Sequence, residues 1–274
     1  MLSGERQMQM KLGFIGENSL EGVERDSAFA RKHGFDGLEY NYWDDFAELT
    51  PDTVAKMQAI HAAHGVGVSM LGLWGWNHLS RDLAERREAH GMLNRAITFA
   101  QQLKADVIAM GAGDLPGEPL EPKVTEFLTV FPPFLRRMKD AGLRPVFYAV
   151  HGVSFFDSLR AYEMVWNDIP DLKIKYDPAD WTHHGQDYLE VAHRHGDKIG
   201  HVHIKEHLYL NGQLVSQPAA GMGDVQWGKV MAFLYEHGYN GWLSIEPHGD
   251  VWSQGAMREK MLLLTKRYIS QFLV

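Results

Sequence analysis

The hydrophobic pattern of the chain alternates between short β-rich runs and longer segments in which apolar residues recur with helical spacing. Such alternation predicts a parallel sheet whose strands are joined by helical crossovers. The pattern predicts eight strands, at residues 11–15, 37–40, 67–73, 106–111, 144–150, 173–178, 200–206 and 241–246. Eight repeats of strand and helix indicate a closed (β/α)8 barrel, the TIM-barrel fold.

The amphipathic segments predict the helices between these strands, at residues 20–33, 51–64, 81–103, 122–141, 157–167, 188–195, 225–237 and 257–272. A doubly wound open sheet is the competing fold, but the first strand is not followed by a Gly-x-Gly-x-x-Gly turn. No linker or composition shift marks a second domain. We therefore predict one α/β barrel domain over residues 11–274, preceded by a loose segment at residues 1–10.

Composition excludes several classes of protein. The net charge of −8 disfavours a nucleic-acid partner, because affinity for a phosphate backbone depends on clustered cations. The chain has no cysteine, so any bound metal must use oxygen and imidazole ligands, and a reducing cytoplasm is compatible. An apolar run of about 18 residues, as a membrane span requires, is absent from the sequence. These features predict a cytoplasmic protein with no membrane partner.

The predicted seventh strand carries an unusual row of polar side chains. Its period of two places His201, His203 and Lys205 on one face and Val202 and Ile204 on the other. A buried polar group without a partner costs roughly 2 to 7 kcal/mol, so this face requires hydrogen-bonding partners, a metal or solvent. We expect His203 to be the ligand near the strand end and His201 to be a deeper, hydrogen-bonded residue.

Carboxylates end the two strands on either side. Asp177 ends strand six and Glu246 ends strand eight, and functional side chains of barrels lie at the carboxyl ends of strands. Each residue alone fits an ordinary cap or loop contact. The three together indicate a site for one divalent cation, with Asp177, His203 and Glu246 as ligands.

Further polar and aromatic residues lie near the same strand ends. Asp180 suits either a substrate hydroxyl or a loop cap, and Lys205 and Glu206 suit either substrate contact or an ion pair at the rim. Tryptophans at the rim, among them Trp74 and Trp181, can stack on a sugar ring or pack loops onto the barrel. No arginine cluster or phosphate-binding glycine-rich loop is evident, which favours an unphosphorylated substrate.

Several segments, at residues 34–39, 176–181, 201–206, 218–227 and 238–248, resemble the xylose isomerase-like TIM-barrel superfamily, the sugar phosphate isomerase/epimerase group. The resemblance covers nearly the whole chain. It implies one divalent metal, Mn²⁺ in preference to Mg²⁺ or Zn²⁺, held by residues of strands five to eight. Asp177, His203 and Glu246 match three of the four ligand positions, and His248 lies in the last matching segment as a candidate substrate contact.

The fourth ligand position departs from the family pattern. The family's strand five typically ends in Glu-Asn-His, whereas this chain has Ala149, Val150 and His151. His151 shares the parity of Ala149 and is a candidate fourth ligand or general base, since the ordinary pKa of histidine is about 6.5. The alternatives are a site with three protein ligands and more water, or an alanine introduced deliberately to inactivate the enzyme.

The resemblance implies a sugar isomerase or epimerase in which the metal polarises a carbonyl and stabilises an enediolate, with Glu246 and His151 as candidate bases. A first alternative is a lyase-type subunit resembling the α subunits of C-glycoside deglycosidases, acting on 3-oxo-glycosides beside a small partner subunit. A second is a catalytically impaired sugar-binding barrel. A DNA-repair endonuclease is disfavoured by the acidic charge. A homo-oligomer is compatible with each of these hypotheses.

Overall fold

The structure, a computed structural model, describes residues 10–43, 46–47, 49–149 and 153–274. Its strands are β1 Lys11–Ile15, β2 Gly37–Tyr42, β3 Gly67–Leu73, β4 Val107–Met110, β5 Arg144–Phe147, β6 Lys173–Tyr176, β7 Ile199–Ile204, β8 Leu208–Leu210, β9 Gln213–Ser216 and β10 Trp242–Ile245. All but β8 and β9 form a closed parallel barrel in the order β1-β10-β7-β6-β5-β4-β3-β2. The predicted (β/α)8 barrel is therefore confirmed.

Helices follow the barrel strands and cover the outside of the sheet. They are α1 Leu20–His33, α2 Pro51–His64, α3 Leu83–Gln102, α4 Leu120–Val130, α5 Pro132–Asp140, α6 Leu159–Trp166, α7 Pro178–His183, α8 Tyr188–His195, α9 Trp227–Glu236, α10 Gly249–Trp252 and α11 Gly255–Ile269. Within the described residues, none has the combined length and hydrophobicity that crossing a membrane requires.

The segment predicted as one helix at residues 122–141 forms two helices. Helix α4 ends at Val130 and α5 begins at Pro132. Proline has no N–H to donate and its ring clashes with the preceding turn, so Pro132 and Pro133 fit only the start of a new helix.

A β-hairpin that the hydrophobic pattern did not predict lies immediately after β7. Strands β8 and β9 pair in antiparallel fashion and are joined by Asn211 and Gly212, whose φ angles are 53° and 77°. Positive φ at both central residues suits a tight hairpin turn, and Asn-Gly is a strong sequence signal for it. The hairpin extends one loop at the carboxyl end of the barrel.

Trp242 fills the amino end of the barrel. A Cβ atom at Gly37 would lie 2.7 Å from the Trp242 ring, so this position admits only glycine. The indole N–H of Trp242 donates to Asp106 Oδ2 at 2.6 Å. The ligand-type residues described below lie at the opposite, carboxyl end of the strands.

The apolar core lies mainly between the strands and the helices. Inside the barrel, a separate and much smaller apolar cluster contains Met70, Trp74, Val107, Ala109 and Val146. The rest of the interior carries buried polar residues, which include Glu39, Lys175, His201, His203 and Ser244. The packing of a barrel interior does not require buried polar residues. Their concentration on one side of the barrel therefore indicates a functional site there.

Candidate active site

Three ligand-type side chains converge at the carboxyl ends of β6, β7 and β10. One ligand atom each from Asp177, His203 and Glu246 lies within 4.8 Å of the other two. Asp177 also caps α7, since its Oδ1 accepts from the backbone N–H of Ala179 at 3.0 Å. The parallel register places Ser244 of β10 beside His203, so neighbouring strand ends bring Glu246 to the imidazole.

His203 is held from both sides. Its Nε2 lies 2.8 Å from Glu39 Oε1, and its Nδ1 lies 2.7 Å from Glu246 Oε2. Burial by itself lowers the pKa of His203. The negative charge of Glu39 and the hydrogen bonds that His203 makes with Glu246 and Glu39 outweigh burial, so the pKa of His203 is raised above its ordinary value. A proton on each ring nitrogen satisfies both carboxylates. Metal binding at Nδ1 would release the proton on that nitrogen, while the N–H at Nε2 would still donate to Glu39.

Glu39 of β2 is a site residue that the sequence analysis did not assign. It is fully buried and accepts hydrogen bonds from both His201, at 3.0 Å, and His203. Burial by itself raises the pKa of Glu39, but the charge of His203 and the hydrogen bonds of both histidines hold it well below its usual value. Glu39 thus fixes both rings. Its position within residues 34–39, which resemble the superfamily, was the available signal.

Glu246 is the carboxylate that faces the open end of the barrel. Its Oε1 lies 3.4 Å from Lys205 Nζ and 3.1 Å from His248 Nδ1. Burial raises the pKa of Glu246, but the charge of Lys205 and the hydrogen bonds of His203 and His248 hold it well below its usual value. Burial lowers the pKa of Lys205, but the negative charges of Glu246 and of Asp177, 4.0 Å away, outweigh burial and raise it. Glu246 is therefore ionised and Lys205 is charged at neutral pH.

A cavity of about 300 Å³, called here the larger cavity, opens above Glu246. Trp74 forms one wall, and its indole N–H donates to Asn41 Oδ1 at 2.8 Å. Asn41 in turn donates to Glu39 Oε1 at 2.8 Å, which couples the wall to the histidine pair. The lining residues are Ile15, Asn41, Trp43, Trp74, Tyr148, Lys175, His203, Lys205, Glu246, Pro247 and His248.

A second, narrower cleft lies beside β5 and β6 and is called here the smaller cleft. Its lining includes Ala149, Asp180, Trp181 and His184. Asp180 Oδ2 lies 3.6 Å from His184 Nδ1. Burial, reinforced by the negative charge of Asp177, raises the pKa of Asp180 to about 6. Asp180 and Trp181 thus lie near the ligand cluster but in a separate cleft from Glu246 and Trp74.

Lys175 of β6 connects the two cavities, and the sequence analysis missed it. It is 2% exposed and lies next to His201 in the strand register. Burial lowers the pKa of Lys175, against the charge of Asp177 and the neighbouring carboxylates. The period of two that selected Asp177 places Lys175 on the same inward face, which was the signal available in the sequence.

Glu206 points away from both cavities. Its carboxylate accepts from the backbone N–H groups of His207 and Val225, each at 3.0 Å, and from that of Gly221 at 3.2 Å. A fourth donor is the indole of Trp227 at 3.1 Å. These contacts tie the loop after the hairpin to the end of β7, and Glu206 is absent from the lining of both cavities.

The donor set of Asp177, His203 and Glu246 fits a divalent cation of the Mn²⁺, Mg²⁺ or Zn²⁺ kind, because it combines two carboxylates with one imidazole. Glu39 supplies the outer contact that orients a ligating histidine. Ala149 is 8% exposed and offers no ligand atom. His151, the candidate fourth ligand or base, lies outside the described residues.

Comparisons with solved structures identify the same architecture. A His-tagged D-allulose 3-epimerase from Methylomonas sp. superposes with a TM-score of 0.79 at 17% identity, over 97% of this chain and 98% of that one. The 3-keto-D-glucoside 4-epimerase YcjR from E. coli gives 0.73 at 15%, over 96% and 100%. The IOLI protein with a bound zinc atom gives 0.79 at 15%, over 96% and 98%. At these identities the likeness concerns the fold.

None of the curated protein sequences compared with the chain matches it significantly. The sequence profile described as "Xylose isomerase-like TIM barrel" matches residues 27–267. This match includes β2 with Glu39 and the strands that supply Asp177, His203 and Glu246. The chain belongs to the xylose isomerase-like TIM-barrel family.

Proposed function

We propose that this protein is a divalent-metal-dependent isomerase or epimerase of an unphosphorylated sugar, ketose or sugar derivative. The observation that carries the proposal is the convergence of Asp177, His203 and Glu246, the last two of which line a cavity of about 300 Å³. Trp74 and Tyr148 line this cavity, and aromatic faces suit the apolar faces of a sugar ring. The family match and the epimerases among the structural neighbours agree with this activity.

Asp177, His203 and Glu246 would hold the ion, with Mn²⁺ expected and Mg²⁺ or Zn²⁺ as alternatives. When bound, the ion supplies Lewis-acid polarisation of a carbonyl and its neighbouring hydroxyl. Glu246 lines the cavity and is held ionised, so it can take a proton from the carbon next to the carbonyl. Lys205, 3.4 Å away, can donate a hydrogen bond to a substrate oxygen and stabilise developing negative charge.

Metal analysis and product analysis test the proposal together. The purified protein is freed of metal, offered Mn²⁺, Mg²⁺ and Zn²⁺ separately and measured for bound ion. Each form is then incubated with ketohexoses, and the products are identified by NMR. Uptake of one ion together with isomerised or epimerised sugar is expected. Failure to bind any of the three ions would refute the metal-dependent activity.

A lyase acting on 3-oxo-glycosides, with a small partner subunit, is the second candidate. Glu246 is the only carboxylate in the described lining of the larger cavity, and an elimination needs one base at the carbon next to the carbonyl. A two-base epimerisation would need a second group, for which the sequence offers His151. Incubation with 3-oxo-glycosides separates the two reactions, since release of the aglycone marks elimination and an inverted hydroxyl marks epimerisation.

An impaired sugar-binding barrel is the third candidate, because Ala149 supplies neither a ligand nor a base. The variant Ala149→Glu restores a carboxylate beside the smaller cleft. If the alanine is what disables an otherwise complete site, the variant gains turnover on the ketohexoses that the unaltered chain only binds. A scaffold without catalytic ability stays inactive with either residue.

A further inference from the structure

The position of Lys175 is unusual for a lysine. The side chain projects inside the barrel, and its Nζ lies 3.4 Å from the centroid of the Tyr148 ring and 5.6 Å from that of Trp74. Lysine is almost never fully buried unless its charge is paired. The two aromatic rings give the ammonium attractive faces, but neither ring removes its positive charge.

The other charges around Lys175 already have close partners. Lys205 Nζ lies 3.4 Å from Glu246, and Glu39 is held by the two histidines of β7. Among the described residues, no carboxylate oxygen lies within 4.0 Å of Lys175 Nζ, and it donates no hydrogen bond to them. Asp177, Glu246 and Glu39 act on it only through space. A buried cation without a hydrogen-bonded partner is costly, so a ligand that completes the pairing gains affinity.

The charged side chains that line the larger cavity indicate that its ligand is negatively charged. Among its ionisable side chains other than histidine, the lining contains two lysines, Lys175 and Lys205, against the single carboxylate of Glu246. Because Lys205 is paired with Glu246, Lys175 is the cation left over. Lys175 is only 2% exposed, and an interior of low dielectric constant strengthens its attraction for an anion.

We propose that the larger cavity binds a sugar derivative that carries a carboxylate, such as a hexuronate or its keto form, and that Lys175 binds this carboxylate. The assignment rests on the proposed sugar-converting function and adds the charge class of the substrate. A phosphate is disfavoured because a dianion usually takes several N–H donors from arginine or from a helix N-terminus. Here one ammonium is the unpaired donor.

The test compares the affinities of a hexuronate and of its neutral hexose, for example D-glucuronate and D-glucose, by calorimetry. Measurements use the full chain, once with chelator and once loaded with Mn²⁺. The variant is Lys175→Met, which keeps the length of the side chain and removes the charge. Lys173→Met is the matched control, since Lys173 lies on the same strand and its Nζ donates to the backbone of Asp197 instead.

We expect the unaltered chain to bind the hexuronate about tenfold or more tightly than the hexose, as one charge-assisted hydrogen bond allows. Lys175→Met should abolish this preference by weakening hexuronate binding, while Lys173→Met keeps the preference. Equal affinities in the unaltered chain, a preference that survives in Lys175→Met, or tighter binding of hexose 6-phosphate than of the hexuronate would overturn the proposal.

Thermal melting distinguishes an effect of the Lys175 substitution on ligand binding from an effect on the stability of the fold. An apolar residue in place of a buried, unpaired charge should leave the melting temperature of Lys175→Met equal or higher. A purely structural lysine predicts a lower melting temperature with no change in ligand preference, and Lys175→Gln repeats the test if the methionine variant does not fold. Conversion of neutral ketoses without any preference for hexuronates would refute this inference and leave the proposed function standing.

Discussion

The two sides of the barrel mouth differ in how their polar side chains are satisfied. On the side of β2, β7 and β10, Glu39, His201, His203 and Glu246 bind one another at distances of 2.7 to 3.0 Å. On the side of β5 and β6, the contacts between side chains are longer, at 3.3 Å between the Tyr148 hydroxyl and Asp177 and 3.6 Å between Asp180 and His184. The first side, called here the fixed side, is one connected network, although His201 Nδ1 and Ser244 Oγ have no hydrogen-bond partner among the described residues. On the second, called here the open side, the side chains are held by fewer and longer contacts with one another.

The pKa values of the buried carboxylates also differ between the two sides. The pKa of both Glu39 and Glu246 is held well below its usual value, because cationic partners outweigh burial. The pKa of Asp180 is raised to about 6, because burial and Asp177 act in the same direction. Carboxylates with cationic partners favour metal binding, whereas Asp180 can carry a proton near neutral pH.

The largest expected effect comes from the fixed side. Glu246→Gln removes the candidate base and one ligand while preserving shape, so we expect kcat on the converted substrate to fall by about 10² to 10⁴. Steady-state kinetics at saturating Mn²⁺, with bound metal measured in the same samples, separates loss of the base from loss of the ion. The exposed Glu236→Gln is the control, and retained turnover in Glu246→Gln would remove Glu246 from the mechanism.

The second expected effect concerns Glu39, which touches His203 without facing the cavity. Glu39→Gln removes the negative charge that His201 and His203 share, so His203 is oriented less firmly and we expect affinity for Mn²⁺ to fall by about 10- to 100-fold. Titration of metal-free protein measures this affinity. Glu206→Gln alters another buried carboxylate and should lower thermal stability without changing metal affinity. If both variants lose metal affinity equally, the orienting role of Glu39 is wrong.

The third expected effect concerns the open side and depends on pH. The pKa of Asp180 is raised to about 6 in the folded chain, so its ionisation destabilises the fold as pH rises from its ordinary pKa through 6. Asp180→Asn should therefore raise stability on the order of 2 to 3 kcal/mol above pH ~6, with the gain vanishing near pH ~4. Thermal melting with chelator across this range measures it.

The exposed Asp168→Asn serves as the control for this pH series, because it makes the same chemical change at the surface. A gain in Asp180→Asn that is constant across the series would indicate a packing effect instead of ionisation. A loss of stability above pH ~6 would show that the Asp180 charge is compensated and would remove the contrast between the two sides.

The local sequence determined most of the fold. Hydrophobic periodicity located every barrel strand and most helices, because strand and helix periods are properties of neighbouring residues. The same period selected Asp177, His203 and Glu246, since strand parity and the carboxyl end can both be read along the chain. The Asn211–Gly212 turn was also readable, although the pattern analysis did not use it.

Tertiary structure alone decided which inward side chains meet. Glu39 lies 164 residues before His203, and β2 is separated from β7 by β10 and β1 around the barrel. Their contact exists only because the sheet closes, and the stagger of the strands sets the depth at which the side chains face each other. The isolation of Lys175 is likewise a property of the closed barrel, since it depends on every neighbouring charge already being paired with another partner.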